Sequence, residues 1–123
     1  MKKPLIALTL DYETNKGYSK YPWYAIRENY FTSIEESGGI AVGIPHNIRD
    51  IKSLLEKIDG LVITGGNFDI NPNLFGNHKI HKKVKLKENR TNFELLAAEI
   101  ILKKNKPLLG ICGGEQLINV LYK

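Results

Sequence analysis

The stretch PLLGICGGEQLINVLY, residues 107–122, passes from an apolar run into a helical pattern across two adjacent glycines. PLLGIC (107–112) predicts a buried strand, and GGEQLINVLY predicts a helix that begins at once. So abrupt a change is the signature of a β-to-α turn in an alternating α/β sheet. Cys112, the only cysteine in the chain, stands at the turn.

The same alternation extends upstream. TNFELLAAEIILKK (91–104) predicts a helix with Phe93, Leu96, Ala97, Ile100 and Ile101 on one face, and Thr91 with Glu94 fits a capping box at its start. GLVIT (60–64) predicts a strand closed by Gly65-Gly66. NIRDIKSLLEKI (47–58) predicts a helix with Asn47 as N-cap, and IAVGIP (40–45) a strand ended by Pro45. WYAIRENYFTSIEESGG (23–39) spaces Trp23, Ile26, Tyr30 and Ile34 as a helical stripe stopped by Gly38-Gly39, and PLIALTLD (4–11) predicts the first strand. Four strand–helix alternations imply a mostly parallel sheet with right-handed crossovers. With 123 residues, no internal repeat and no linker composition, the chain reads as one unit, 1–123.

Composition narrows the function classes. Hydrophobic residues at 42% and charged residues at 25% fit a globular protein, and the apolar run after the N-terminal lysines is too short for a membrane span. A lone cysteine cannot form an internal disulfide, so a cytoplasmic setting is expected. The formal charge of +5 is accounted for by the segment from His78 to Arg90, which holds Lys79, Lys82, Lys83, Lys85, Lys87 and Arg90 against Glu88. Without a stacking aromatic, that segment reads as a solvated loop, and no nucleic acid is expected as partner.

In parallel sheets chemistry gathers beyond the carboxyl ends of the strands. Asp11, Gly65-Gly66 and Cys112 all fall there. The connection from Gly65 to about Arg90 exceeds the usual ~12–15 residues and is expected to wall or cover a site. Gly110-Ile111-Cys112-Gly113-Gly114 has the small–x–nucleophile–x–small form of a strand–turn–helix elbow. At a helix N-terminus, unpaired N–H groups and the dipole favour a thiolate. The N–H of Gly113 could face an oxyanion, with a second donor from Gly65-Gly66, an arrangement suited to acyl transfer. Two other readings stand beside this one: a buried structural cysteine, and an anion-binding glycine turn. Glu115 in the first turn argues against bound phosphate, and the glycines match neither G-x-G-x-x-G nor a P-loop.

Taken in order, YPWYAIRENYFTSIEESGGIAVGIPH, IDGLVITGGNFDINPNLFG and ENRTNFELLAAEIILKKNKPLLGICGGEQLINV resemble the gamma-glutamyl-gamma-aminobutyrate hydrolase family, a branch of the class I glutamine amidotransferase-like superfamily. The resemblance covers nearly the whole chain. It implies a flavodoxin-like three-layer α/β sandwich with a mostly parallel sheet, of which residues 1–123 are the N-terminal half, ending in the helix after the elbow. It also implies hydrolysis of a gamma-glutamyl amide through a cysteine thioester. Cys112 then corresponds to the nucleophile, and the N–H of Gly113 with one from Gly65 or Gly66 to the oxyanion hole. Arg90 becomes a candidate substrate contact. Neither a cofactor nor a metal is implied.

Three departures qualify it. Gly113 stands where the family often has arginine, and Arg90-Thr91 where it has Arg-Asp. The family's catalytic His and Glu come from a C-terminal half, and this chain stops at Lys123. His46, beside Pro45, reads as structural. His78 and His81, three apart in the basic segment, lack the cysteine or carboxylate company of a metal site. The expectation is an incomplete enzyme, inactive alone. A subunit completed by another polypeptide and a non-catalytic gamma-glutamyl-binding module are the alternatives. The strand PLLGIC is expected at an unprotected sheet edge, favouring a homo-oligomer or a complementing chain as partner.

Overall fold

The computed structural model describes residues 2–66, 74 and 86–122. Its elements, in chain order, are β1 (Leu5–Thr9), β2 (Asp11–Glu13), β3 (Trp23–Ala25), α1 (Glu28–Glu36), β4 (Ile40–Ile44), α2 (Ile51–Lys57), β5 (Gly60–Ile63), α3 (Glu88–Lys103), β6 (Leu108–Gly110) and α4 (Gly113–Leu121). Strands β4, β1, β5 and β6 lie side by side in that order, all parallel. This is the mostly parallel α/β sheet expected from the alternation, in the flavodoxin-like arrangement that the resemblance implies.

The order follows from where the chain turns back. From β1 it crosses through α1 to β4 on one side, then returns through α2 to β5 on the other. Right-handed crossovers in opposite directions put α1 on one face of the sheet and α2 and α3 on the opposite one. Register agrees. Ala7 aligns with Leu61, and Leu61 with Leu108, on the face that packs against Leu55, Phe93, Ala97, Ala98, Ile101 and Leu117. The alternate face carries Ile6, Ala41 and Gly43. There a side chain on Gly39 would meet Ile34 and Ile6, and one on Gly43 would meet Phe31. Ile34 and Phe31 belong to α1.

Among the described residues, α1 buries no side chain fully, and Val62 and Leu109 on its face of the sheet border an apolar hollow of about 300 Å³. Among the described residues strand β6 has only β5 beside it, and Leu109 is 55% exposed.

Four local expectations are corrected. Residues 23–25 are a strand, not the start of a helix, because they pair antiparallel with 11–13: Tyr12 faces Tyr24 with ring centroids 5.0 Å apart. Helix α1 begins only at Glu28. The capping box at Thr91 does not form. Helix α3 starts three residues earlier, the Thr91 N–H already donates to the Lys87 carbonyl at 3.0 Å, and Thr91 and Glu94 are buried inside it. The cap of α2 is Asp50 rather than Asn47, its Oδ1 accepting the Ser53 N–H at 3.1 Å. Lys87, counted with the solvated basic segment, forms ion pairs with Asp11 at 2.8 Å and Glu13 at 3.0 Å. The rest of that segment up to Lys85, including His78 and His81, lies outside the described residues.

The other end of α2 is finished by a distant residue. Lys106 Nζ donates to the carbonyls of Leu55 at 2.7 Å, Glu56 at 3.1 Å and Ile58 at 2.7 Å. A cation here satisfies terminal carbonyls and meets the negative end of the helix dipole. Lys106 is presented by the turn after α3, where Asn105 adopts φ 54°.

Candidate functional site

A crevice opens where strand order reverses, outside the carboxyl ends of β1 and β5. Here it is a cavity of about 580 Å³ lined by Asp11, the segment 25–27, Tyr30, Thr64, Gly65, Gly66 and Cys112. The structure therefore brings Asp11, Gly65-Gly66 and Cys112 together from the ends of β1, β5 and β6.

Cys112 is the N-cap of α4, with φ 54° and ψ −109°. A non-glycine residue held there costs about 1–3 kcal/mol, so the surrounding packing must enforce it. The enforcement is visible. Ile111 N–H donates to the Ile63 carbonyl at 3.0 Å, continuing the β5–β6 pairing to the brink of the turn. The Gly114 N–H then bonds the Ile111 carbonyl at 2.9 Å, which closes it. A methyl group on Gly110 would stand 2.5 Å from the Gly114 carbonyl oxygen. One on Gly114 would run into the Ile63 carbonyl, 2.9 Å from its carbon. Both flanking positions must be glycine for the backbone to turn this tightly. The result is an exposed sulfur at the mouth of the cavity, with Gly113 as first residue of α4 and its N–H without an intrahelical partner.

The facing wall is Thr64-Gly65-Gly66. A methyl group on Gly65 would sit 3.1 Å from Cys112 Cβ and 3.4 Å from both the Ile111 carbonyl oxygen and Tyr30 Oη, so Gly65 is what lets the two turns approach. Its N–H donates to Tyr30 Oη at 3.1 Å. Gly66 is exposed on the cavity wall.

Beneath this wall lies a buried polar cluster. Thr64 N–H donates to Thr9 Oγ1 at 3.0 Å, and Thr64 Oγ1 to the Thr9 carbonyl at 2.8 Å. Arg90, only 1% exposed, donates from Nη2 to the Thr64 carbonyl at 2.6 Å, to Thr64 Oγ1 at 2.9 Å and to the Gly65 carbonyl at 3.2 Å. Its Nη1 reaches Asp11 Oδ1 and its Nε reaches Glu94 Oε1, both at 3.2 Å. The guanidinium expected as a substrate contact is thus directed at the main chain of the site wall.

Burial alone would raise the Asp11 pKa, but Lys87, the Tyr12 N–H and Arg90 together hold it below the ordinary carboxylate value. Glu94 goes the other way. Burial pushes its pKa from 4.5 to about 7, against the pull of Arg90 and of Thr9, and its Oε2 has no hydrogen-bond partner among the described residues.

His46 is not at this cavity. It packs against Tyr12, Tyr24 and Phe93, with centroids 4.6, 5.0 and 6.3 Å away, on a separate hollow. Burial, with help from Arg90, lowers its pKa below 6.5, which suits a neutral packed ring. No grouping of three or more metal-ligating side chains occurs among the described residues. None of their helices is long and apolar enough to cross a membrane.

Sequence reasoning misses Tyr30 and the cluster around Arg90. Spacing alone puts Tyr30 on an apolar helix stripe and Glu94 in a cap.

The model of the peptidase C26 family matches residues 4–123. The chain belongs to that family. It is similar, at 40% identity over 124 residues, to a glutamine amidotransferase-like protein of Rickettsia prowazekii, a match covering 98% of this chain and 44% of the relative. It is 24% identical over 119 residues to the gamma-glutamyl-gamma-aminobutyrate hydrolase of Escherichia coli O157:H7, across 94% of this chain and 45% of that one. Among solved structures, a Thermoplasma acidophilum protein named for a GMP synthase superposes with a TM-score of 0.58 at 22% identity. That match covers 99% of this chain and 47% of the other, and shows the shared fold. This peptidase C26 chain spans less than half the length of each of these relatives.

Proposed function

We propose that residues 1–123 form the nucleophile-bearing half of a gamma-glutamyl amide hydrolase, of the gamma-glutamyl-gamma-aminobutyrate hydrolase type. The observation that carries this reading is the Cys112 turn: an exposed sulfur with φ 54° at the start of α4, beside Gly65. The name of the E. coli relative supports the substrate class. The thiol gives its proton to the acid–base group, the sulfur attacks the gamma-carbonyl carbon, a C–S bond forms, and the carbonyl π pair moves to oxygen. That oxyanion is met by the Gly113 N–H and by a donor of the facing wall other than the Gly65 N–H, which, against the expectation for Gly65, is already given to Tyr30 Oη. Collapse breaks the C–N bond, releases the amine and leaves a thioester for water to hydrolyse.

Amine departure needs a proton, and thioester hydrolysis needs a base. His46 is occupied in its aromatic cluster, and the described residues place no other histidine. Because the family that the chain resembles carries its catalytic His and Glu in a C-terminal half, we propose that the acid–base group comes from polypeptide outside residues 1–123, as a continuation of the chain or a complementing subunit. Arg90 serves the site by holding its wall.

The test measures amine release from gamma-glutamyl amides. Chain 1–123 is assayed alone and fused to the second half of its Rickettsia prowazekii relative. Turnover in the fusion only, abolished by Cys112→Ser, is the expected result. Equal turnover by the short chain would mean that its own residues supply the base. Saturable binding with no thioester in either form would replace the proposal with a ligand-binding module.

A further inference from the structure

Tyr30 is the residue in the cavity whose chemistry the mechanism above leaves unused. It lies in the first turn of α1, half-buried, and its hydroxyl oxygen accepts the Gly65 N–H at 3.1 Å. A single point one bond above Gly65 Cα is 3.4 Å from Tyr30 Oη and 3.1 Å from Cys112 Cβ, so the phenol and the nucleophile flank the same small space. The Gly65 peptide has little freedom to turn its N–H elsewhere, because Arg90 holds its carbonyl at 3.2 Å and the preceding Thr64 carbonyl at 2.6 Å.

A hydroxyl that accepts from an N–H still has one proton to donate. Among the described residues that proton has no acceptor, and Tyr30 lines the cavity that Cys112 opens into. We infer that Tyr30 is a catalytic residue whose O–H donates to the oxyanion formed when Cys112 attacks a gamma-glutamyl carbonyl, with Gly65 contributing through it. The Gly65 N–H polarises the phenol, so the pair delivers a stronger donor than an isolated tyrosine. An oxyanion hole built this way has an adjustable side-chain member on α1 as well as the fixed N–H of Gly113.

The inference rests on the thioester reading, and the experiment separates the two. Chain 1–123 is treated with the p-nitrophenyl ester of the glutamate gamma-carboxyl. Its leaving group departs as the phenolate without needing a proton donor, and added buffer base takes up the thiol proton, so acylation requires from the protein the nucleophile and oxyanion hole alone. Acylation is followed by p-nitrophenolate release and by intact mass, and Cys112 alkylation by iodoacetamide is measured in parallel. Alkylation occurs at a saturated carbon and forms no oxyanion.

Tyr30→Phe is expected to slow acylation roughly 100-fold, as loss of one oxyanion donor does, while alkylation proceeds at the unaltered rate. Acylation of both proteins at equal rates would overturn the role of Tyr30 and leave the nucleophile standing. Failure of the unaltered chain to be acylated at Cys112 would overturn both. Should Tyr30→Phe not fold, 3-fluorotyrosine at position 30 keeps the shape and strengthens the donor. Faster acylation is then expected, assayed with the phenol protonated, and an equal or slower rate refutes the inference.

Discussion

Replacing Glu94 with glutamine should remove a pH dependence built into the buried cluster under the site. Glu94 is 1% exposed, its Oε1 takes the Arg90 Nε–H, and burial raises its pKa from 4.5 to about 7. The charged groups acting on it are Arg90, which favours the carboxylate, and Asp11, which opposes it. Between pH 4.5 and about 7 the folded chain therefore keeps a proton that the unfolded chain has released. Stability falls as pH rises through that window.

At ~1.36 kcal/mol for each decade of proton activity, the whole effect is roughly 3 kcal/mol, a large part of the stability of a small domain. Glutamine retains the acceptor for Arg90 and cannot ionise. Urea denaturation of both proteins from about pH 4.5 to about pH 8 gives the difference curve. Asp11 and His46 titrate in both proteins and largely cancel in the subtraction. The Glu94→Gln protein should gain on the parent by up to about 3 kcal/mol across the window and level off above it. A flat difference, or one that moves against glutamine as pH rises, would refute the argument that burial outweighs the Arg90 pairing.

Two further substitutions test the scaffold. Gly114→Ala drives a methyl group into the Ile63 carbonyl. It should cost about 3 kcal/mol by urea denaturation, whereas melting together with the parent would show that the elbow tolerates bulk. Lys106→Met removes three carbonyl contacts at the end of α2 while keeping the aliphatic stem. A loss of about 2 kcal/mol is expected, and a thermal melt indistinguishable from the parent's would count against the capping role.

The parts of the fold legible in the sequence are those written locally. The four parallel strands are short apolar runs, three of them closed by glycine or proline and the first by Asp11, and the elbow is announced by Gly110, Gly113 and Gly114 around Cys112. The misread parts depend on partners far along the chain. Trp23 and Ile26 satisfy a helical spacing, yet the segment after Pro22 pairs with Asp11–Glu13. Thr91 and Glu94 fit a cap pattern, but their burial in α3 accompanies contacts from Arg90 to Asp11 and Thr64, 79 and 26 residues away. No local pattern encodes those distances. Tyr30 escapes for the same reason, since its hydroxyl acquires meaning only from Gly65, 35 residues later.

Strand β6 ends two residues before the sulfur and, among the described residues, presents one row of main-chain amides and carbonyls with nothing alongside. Any chain that zips onto that row arrives within a few residues' reach of Cys112. Completing the sheet and delivering a proton carrier to the thiol can therefore be a single event, so that assembly itself would act as the on-switch.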